Sequence, residues 1–480
     1  RHAGRYLDLL QRTEAEAETK PTDEWLAEYA PRIDNVRAAL DWAFSPGGDA
    51  SIGVALTIAA VPLWEQLSLL GESRERVERA LASLDEAGAA SPRTRMQLSA
   101  ALGWSLMYGL GRAREAGPAW AVTLELAEKL DDKDYKQRAL WGLCIDQFNN
   151  GEFRAALGFA RRFAELVANS TDTMDLITGD RILATALHYI GDQKTARFHI
   201  DRVLAHLADL AQQPHIVRMR FDMRVSTHYF QARILWLQGF GDQALRVVEH
   251  NIEEGRAIGH ALSFCSVLGQ GACPIAFLAG DFDAAERYGA MLLDHTERHP
   301  MRLWQLWVRC FNGMVMGKRG DIIAGLDVLR GALEQAGDAK FLPRFLLPLG
   351  ELAACLGEAG EVAQGFAIVD DALARCKTRD EGWYLAELLR IRGELILKGD
   401  GSQAAAKAEE QFLSALDLAH RQGALSWELR AATSLARLLG NQGRSADATA
   451  LLQPVYGRFT EGFATADLKA AKALLGGLSR

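Results

Sequence analysis

The sequence predicts an all-α protein, a right-handed α-solenoid of about ten helical hairpins that repeat every 40 residues or so. Three features that recur in phase predict this fold. Glycines suited to helix-ending turns recur at that spacing, the residue five positions after each is small, and so usually is the residue seven positions before it. The turn glycines are Gly71, Gly111, Gly151, Gly191, Gly239, Gly280, Gly320, Gly360, Gly401 and Gly443.

The hairpin around residue 280 illustrates the repeat. Gly280 can adopt the left-handed conformation that ends a helix, at no steric cost. Asp281 can accept hydrogen bonds from the free backbone N–H groups of the next helix. Small side chains let the two helices approach closely. They are Ala116, Ala156, Ala196, Ala244, Ala285, Gly325, Gly365, Ala406 and Ala448 after the glycine, and Cys144, Ala184, Ala232, Cys273, Gly313, Ala353 and Ala436 before it.

The chain divides into three predicted segments. Residues 1–48 form a short helical segment, which Pro31 bends or interrupts and which stops at Ser45–Asp49, where proline and glycines break the helix. Residues 49–462 form the repeat array. Residues 463–480 form a capping helix, because the last repeat of an array would otherwise expose its apolar face.

Composition restricts the function classes. The chain has 480 residues, 49% hydrophobic and 24% charged, and a net charge of −8, whereas nucleic-acid-binding domains usually carry a basic excess. No signal peptide is recognisable, and the apolar run Val54–Trp64 is too short to span a bilayer. The six cysteines lie in apolar helical stretches without a CxxC pair, which predicts buried, reduced thiols in a cytoplasmic protein. Because the chain begins at Arg1 inside a helical pattern, we expect a further region upstream.

Motifs for catalysis are missing from the sequence. Gly313–Arg319 contains Gly-Lys but lacks the spacing of a phosphate-binding loop and the hydroxyl residue after the lysine. The sequence contains no HExxH, no GxSxG and no clustered Cys/His ligand set. We therefore expect a non-enzymatic chain with no cofactor and no metal site.

The candidate binding residues follow from the glycine phase. The first helices of stacked hairpins line one concave face, at positions about 13, 10, 6 and 3 residues before each turn glycine. Aromatic side chains interleaved with arginine suit a peptide or a planar or anionic small molecule. The predicted concave-face residues are Trp141, Arg181, His188, Tyr229, Arg233, Trp236, Gln270 and Trp307.

An alternative to ligand binding remains at these positions. The aromatic side chains could pack between repeats instead. Beyond about residue 320 the equivalent positions are small or apolar (Leu347, Gly350, Ala354 and Gly357), so the groove is placed in the central repeats.

A second stripe of residues has the four-residue spacing of one helix face and could hold an anion or simply face solvent. It consists of Arg220, Arg224 and His228.

Several segments resemble known families. The turn pattern resembles tetratricopeptide (TPR) repeats, although the period is nearer 40 than 34 residues. Trp25-Leu26 and the segment 34–43 (DNVRAALDWA) resemble the region after the ATPase module of bacterial STAND-type signalling ATPases, which often carry a winged-helix DNA-binding domain. The end of the chain resembles the end of such proteins in 426–431 (SWELRA), Tyr456-Gly457, 459–463 (FTEGF) and 467–475 (DLKAAKALL).

The resemblance implies a ligand-sensing and protein-interaction repeat domain of a bacterial ATP-dependent signalling or transcriptional regulator. Residues 1–48 would then link to an upstream ATPase module. The implied partner is a small-molecule inducer, a peptide or a protein, with no direct nucleic-acid contact by this region, no membrane, and self-association of the full-length regulator. A peptide- or protein-binding TPR scaffold and the regulatory tail of a nucleotide cyclase are the alternatives.

Overall fold

A computed structural model describes residues 2–13, 16, 20, 22–67, 69–87, 91–108, 115–209, 217–218, 221–258, 261–298, 301–337, 345–399 and 403–478. Almost all of them lie in α-helices that pack as consecutive antiparallel pairs, which confirms the predicted α-solenoid. The chain forms two compact units. The first comprises Arg1–Asn150, Ala155–Ile182 and Ala208–Arg220, and the second comprises Gly151–Arg154, Leu183–Leu207 and Phe221–Arg480.

Among the described residues, eleven helices precede two two-residue strands. The helices are α1 (His2–Leu10), α2 (Thr22–Tyr29), α3 (Ile33–Ala43), α4 (Ala50–Gln66), α5 (Leu70–Ala87), α6 (Pro92–Tyr108), α7 (Ala116–Lys129), α8 (Lys133–Asn150), α9 (Phe153–Val167), α10 (Thr173–Ile190) and α11 (Gln193–Asp209). The strands are β1 (Val217–Arg218) and β2 (Phe221–Asp222).

The remaining helices belong to the second unit. They are α12 (Met223–Leu237), α13 (Gly241–Ile258), α14 (Ala261–Ser266), α15 (Cys273–Ala279), α16 (Phe282–Arg298), α17 (Arg302–Lys318), α18 (Ile322–Ala336), α19 (Leu346–Glu358), α20 (Val362–Arg379), α21 (Leu385–Lys398), α22 (Ala404–Gln422), α23 (Leu425–Asn441), α24 (Ser445–Tyr456) and α25 (Ala466–Leu478).

The turn glycines confirm most of the predicted phase. Gly280 ends α15 at φ 78°, and the Asp281 side chain accepts a hydrogen bond from the Ala284 N–H at 2.9 Å, as predicted. Gly71 was wrongly predicted: α4 ends at Gln66 and α5 begins at Leu70, so the turn precedes this glycine. Gly111 and Gly401 lie outside the described residues. The confirmed glycines, all with positive φ, are Gly151, Gly191, Gly239, Gly280, Gly320, Gly360 and Gly443.

The small residues mark close helix contacts. The Cys144 thiol lies 3.4 Å from the Ala156 carbonyl oxygen. Gly313 and Gly325 bring α17 and α18 into backbone contact, because a Cβ added at Gly325 would lie 2.7 Å from the Gly313 carbonyl oxygen. The phase fails near residue 400, where Ala406 is exposed and Ala408, two positions later, is buried.

The N-terminal segment packs on the start of the array in the first unit. Pro31 lies in a 3₁₀ turn, Ala30–Arg32, between α2 and α3. Asp49 then caps α4 by accepting from the Ser51 and Ile52 N–H groups at 2.9 and 3.3 Å. Trp25, Tyr29 and Trp64 are buried in one core shared by α1, α2, α3 and α4.

The last helix, α25, covers the end of the second unit. It packs on α23 and α24 and buries Leu468, Ala471 and Leu475 in their apolar core. The exposed side of α25 carries charged residues such as Lys469 and Lys472. This arrangement removes the apolar surface that an uncovered final repeat would present.

A longer apolar helical stretch than Val54–Trp64 lies in the second unit. Among the described residues, Ala261–Ala279 alone has the length and mean hydropathy, 1.6, needed to cross a membrane, and 83% of its most apolar window is buried in the protein. Burial of this kind is typical of a core helix. The six cysteines are also buried and unpaired, as predicted.

Candidate binding site

Seven of the eight predicted concave-face residues are buried, and Gln270 is half-buried. The expectation that they form an exposed face is therefore wrong. Later repeats cover those that lie in the second unit. Whether they bind a ligand stays a prediction. The buried residues are Trp141, Arg181, His188, Tyr229, Arg233, Trp236 and Trp307.

Trp141 belongs to an aromatic cluster in the first unit. Its ring stacks on Trp104, with ring centroids 4.7 Å apart, and Trp104 meets the edge of Trp120 at 5.8 Å. Gly103 and Gly142 admit the Trp120 ring, since a Cβ at either position would lie 2.6 or 2.3 Å from it. Trp141 thus packs between helices, the alternative left open by the sequence.

Five other predicted residues meet around one narrow cavity in the second unit, here called the apolar cavity. The space inside is about 20 Å³, which holds one or two water molecules but no larger ligand. The predicted residues His188, Arg233, Trp236, Gln270 and Trp307 line it together with Leu347 and Trp383 from later repeats.

The polar groups of this cavity are His188 and Arg233. The Arg233 guanidinium lies over the Trp383 ring at 4.6 Å from its centroid. The His188 Nδ1 lies 2.9 Å from the Gln193 Oε1 atom, and its Nε2 has no hydrogen-bond partner among the described residues. Burial, together with the charge of Arg233, lowers the pKa of His188 well below its ordinary 6.5. The imidazole is therefore neutral at pH 7 and offers Nε2 as an acceptor to a donor in the cavity.

A π-helical segment, Val267–Ala272, forms one wall of the apolar cavity. Its Gly269 carbonyl accepts a hydrogen bond from Trp307 Nε1 at 2.5 Å. A Cβ at Gly269 would lie 2.5 Å from the Trp304 ring, so a larger residue does not fit. The pair Gly269 and Gly271 inside an apolar helix is the sequence signal that could have indicated this segment. Single-turn π-segments often accompany functional sites.

Helix α23 closes the inner side of the second unit. Ser426 Oγ donates to the Trp236 carbonyl oxygen, and the Trp427 ring meets Trp236 edge-on at 4.8 Å. Arg430 Nη2 donates to the Leu278 carbonyl oxygen at 3.0 Å. These contacts join residues 152 to 191 positions apart in sequence, which explains why the predicted groove is covered.

A larger and more polar cavity, here called the polar cavity, adjoins the same helix. Its volume is about 240 Å³, and it shares Leu278 with the apolar cavity. The groove predicted from the sequence ends near residue 320, yet most of this lining comes from later residues. The charged and hydroxyl residues that line it are Lys318, Glu351, Glu387, Arg390, Arg430, Thr433, Ser434, Arg437 and Asp467.

The inner charges of the polar cavity neutralise one another. Glu387 is 1% exposed and accepts from Arg390 Nε and Nη2, each at 2.8 Å, and from Arg430 Nη1 at 3.1 Å. Burial alone would raise the pKa of Glu387, but the two guanidinium groups outweigh burial and hold that pKa below its ordinary value. Arg430 Nε also donates to Asp467 at 2.7 Å. This network is therefore already satisfied without a ligand.

The outer charges of the polar cavity are more accessible. The Arg437 side chain is 54% exposed, and a Glu394 carboxylate oxygen lies 3.9 Å from its guanidinium. Lys318 is 38% exposed and pairs with the buried Glu351 at 2.7 Å. A guanidinium with a distant acidic neighbour can still form a bidentate bond to an incoming carboxylate or phosphate. The geometry thus suits an anionic group at Arg437.

Comparison with known proteins shows the fold. No family model matches the chain. An uncharacterized protein of Rhizobium meliloti (strain 1021) is 27% identical over 207 residues, which are 42% of this chain but only 20% of that protein. The crystal structure of a Rap protein complexed with competence and sporulation factor covers 82% of this chain and 99% of its own, with a TM-score of 0.52 at 12% identity.

A second similar structure is the APC/C hetero-tetramer Cut9–Hcn1. It covers 100% of this chain and 87% of its own, with a TM-score of 0.49 at 14% identity. Because the Rap protein is only 12% identical to this chain, its similarity establishes the architecture alone. The chain is thus a TPR-like helical-repeat region.

Proposed function

We propose that this chain is a non-catalytic, partner-sensing repeat domain that binds an acidic peptide or an acidic segment of a protein. The observation that carries the proposal is the polar cavity in the second unit. Early and late repeats of this unit both contribute to its walls. Its most accessible charge is the guanidinium of Arg437.

The volume and chemistry of the polar cavity support a peptide group. About 240 Å³ accommodates one or two side chains or a chain terminus. Thr433 and Ser434 add hydroxyl groups, and Phe277 and Phe282 add apolar walls against which the stem of a bound side chain can pack. The apolar cavity is too small for a ligand in this conformation, so we place the first contact at the polar cavity.

The similar Rap structure adds support of a different kind. That Rap protein is complexed with competence and sporulation factor, so the same architecture accommodates a bound factor in at least one protein. The two chains are only 12% identical, and we therefore transfer to this chain the idea of a bound partner but no contact residue.

We further propose that the domain belongs to a larger bacterial ATP-dependent signalling or transcriptional regulator in the cytoplasm. The resemblance of segments 34–43 and 467–475 to STAND-type ATPases supports this context. The Rhizobium meliloti relative also supports it, because the matched region is only 20% of that longer protein. Partner binding would then bias the upstream ATPase switch between a resting monomer and an active oligomer, because a ligand shifts an equilibrium by its differential affinity for the two states.

The test is selection from a random-peptide phage library on the purified 480-residue chain, followed by fluorescence anisotropy with labelled hits. We expect hits rich in Asp or Glu, and Arg437→Ala should weaken their binding at least about tenfold, since a hydrogen bond to a charged group contributes roughly 1.5–3 kcal/mol. The matched control is Arg421→Ala, which removes an arginine of similar exposure that does not line the cavity.

Three outcomes separate the possibilities. Equal affinity of hits for the wild type and Arg437→Ala would exclude the polar cavity as their site. A thermal shift with a metabolite or nucleotide, abolished by Arg437→Ala, would instead assign the cavity to a small-molecule inducer. If the same peptide changes neither ATP hydrolysis nor oligomer size of the full-length protein, the regulator context is wrong even where peptide binding is confirmed.

A further inference from the structure

Two histidines and a glutamate that line neither cavity form a cluster on the hairpin of α12 and α13. His228 Nδ1 lies 2.8 Å from Glu254 Oε2, and His250 Nε2 lies 3.5 Å from Glu254 Oε1. One potential ligand atom from each of the three residues lies within 4.8 Å of the others. This is the spacing at which three side chains can share one ion.

The fold explains why these residues meet. His250 and Glu254 are four residues apart, so they lie on the same face of α13. His228 comes from the facing side of α12, and its ring centroid lies 5.2 Å from that of His250. The four-residue spacing within one helix groups His228 with Arg220 and Arg224 and does not reveal its neighbours on α13. Of that stripe, Arg220 lies outside the described residues.

The geometry points to a binding site for a divalent transition metal ion of the zinc type, held by His228, His250 and Glu254. Two imidazole nitrogens and one carboxylate oxygen are a donor set that zinc accepts, and three protein ligands leave a fourth position for water. The hard cations Mg²⁺ and Ca²⁺ prefer oxygen ligands and fit this set poorly. The site does not depend on the partner proposed above.

Small movements suffice to accommodate the ion. Two ligand atoms of a tetrahedral zinc ion lie about 3.3 Å apart when each bond is about 2.0–2.1 Å long. The present distances from His228 and His250, each to a different Glu254 oxygen, are 2.8 and 3.5 Å, and one set of three ligand atoms lies within 4.8 Å of one another. The side chains must therefore draw together by about an ångström or less. His250 is 59% exposed, so its ring can adjust without repacking a core. The His228 nitrogen that now faces Glu254 would exchange that contact for the bond to the metal.

Arg224 is a positive charge close enough to act electrostatically on Glu254, and it would therefore also repel a bound cation. Its replacement by alanine should therefore tighten metal binding. A bound ion would join α12 to α13 by coordinate bonds, beside the residues of α12 that face the apolar cavity. The proposed role is a clamp on this hairpin.

The test uses the full chain, stripped with a chelator and titrated with ZnCl₂ in competition with a chromophoric chelator. We expect one ion per chain. His250→Gln and Glu254→Gln should each weaken binding at least about tenfold, because even outer-shell partners of a metal site contribute about 10–100-fold. The matched control is His420→Gln. His420 also faces a carboxylate, that of Glu428 at 3.3 Å, but among the described residues it belongs to no three-residue cluster.

Cobalt substitution distinguishes this site from the buried thiols. Co²⁺ bound to nitrogen and oxygen should show visible absorption without a thiolate-to-metal charge-transfer band. The proposal is overturned if the intact chain binds no zinc, if His250→Gln and Glu254→Gln bind it as the wild type does, or if the thiolate band appears. Arg224→Ala provides an opposite-sign check, because its affinity should rise.

Discussion

Trp236 shows how the burial of one residue depends on side chains far away in sequence. Its position three residues before Gly239 predicted an inward-facing side chain, and the structure places it inward. Its exposure could not be predicted, because its neighbours Trp427 and Arg430 come from repeats about 190 residues later. An exposed binding residue and a buried packing residue therefore have the same local sequence pattern.

The same burial changes what Trp236→Ala should do. The side chain is 3% exposed, so its removal leaves a cavity and should lower the free energy of unfolding by about 3–5 kcal/mol. A loss of ligand affinity in this variant would therefore not identify a binding residue. Urea denaturation of the variant measures the loss, and an unchanged midpoint would contradict the packing described here.

His188 should make stability depend on pH. Its imidazole is buried, and burial with the nearby Arg233 charge places its pKa in the folded protein well below 6.5. Below about pH 6.5 the unfolded chain binds a proton that the folded protein does not, so stability is complete above that pH and falls as pH decreases. The limiting slope for one such group is about 1.4 kcal/mol per pH unit.

The measurement is urea denaturation of the wild type and His188→Gln between pH 5 and pH 7.5. Glutamine cannot titrate, so the variant's free energy of unfolding should fall less steeply below pH 6.5, whatever its value at pH 7.5. Parallel curves for the two proteins would show that His188 does not contribute to the pH dependence.

At the scale of the helical hairpin, most of the sequence prediction was correct because the determinants are local. A turn needs a glycine with positive φ, and a close helix contact needs small residues at fixed offsets from it. The errors also have local causes. Gly71 follows its turn instead of forming it, and Ala406 lies two positions before the contact that Ala408 makes. The π-segment Val267–Ala272 changes helix geometry without changing hydrophobic periodicity.

Two glycines of α18 test the hairpin contact. A Cβ at Gly325 would lie 2.7 Å from the Gly313 carbonyl oxygen and 2.8 Å from the Gly317 nitrogen, both backbone atoms, so the helices must separate. Gly325→Ala should therefore destabilise the protein by roughly 1–3 kcal/mol. Gly331, on the same helix, has no atom within 4 Å of an added Cβ, and Gly331→Ala should stabilise by about 0.5–1 kcal/mol.

Thermal or urea denaturation of both variants checks this pair of opposite effects. Two changes of the same sign would show that helix propensity, and not the contact between α17 and α18, dominates at these positions.

At the scale of the whole second unit, the decisive contacts are those that join its late repeats to its early ones. Arg430 makes several of them: it binds the Leu278 carbonyl oxygen, Glu387 and Asp467, and its guanidinium lies 5.4 Å from the Trp236 ring centroid. The repeat pattern of the sequence describes contacts between neighbouring hairpins only. These long-range contacts, and the polar cavity that they form, could therefore not be predicted from it.

Arg430→Ala should lower the free energy of unfolding by about 3 kcal/mol, the lower end for a broken buried ion pair, because Glu387 retains Arg390. Amide hydrogen exchange should accelerate in α12 and α15, which α23 covers. Arg421→Ala is the control and should change stability by less than about 0.5 kcal/mol, since it breaks only an exposed pair on one helix. Unchanged exchange in α12 and α15 would contradict the coupling.

Closure of the second unit also determines when its parts can fold during synthesis. The Ser426 hydroxyl bonds to the Trp236 carbonyl across 190 residues of chain. At roughly 5–20 residues per second, the ribosome needs about 10–40 s to make that stretch. For this interval the face of α12 that carries Trp236 has been made but lacks its cover. Tyr189 on α10 and Gln243 on α13 likewise wait for Gly382 and Glu461, which bond to them from late repeats. We therefore expect the early repeats of this unit to need chaperones until the late repeats have been made.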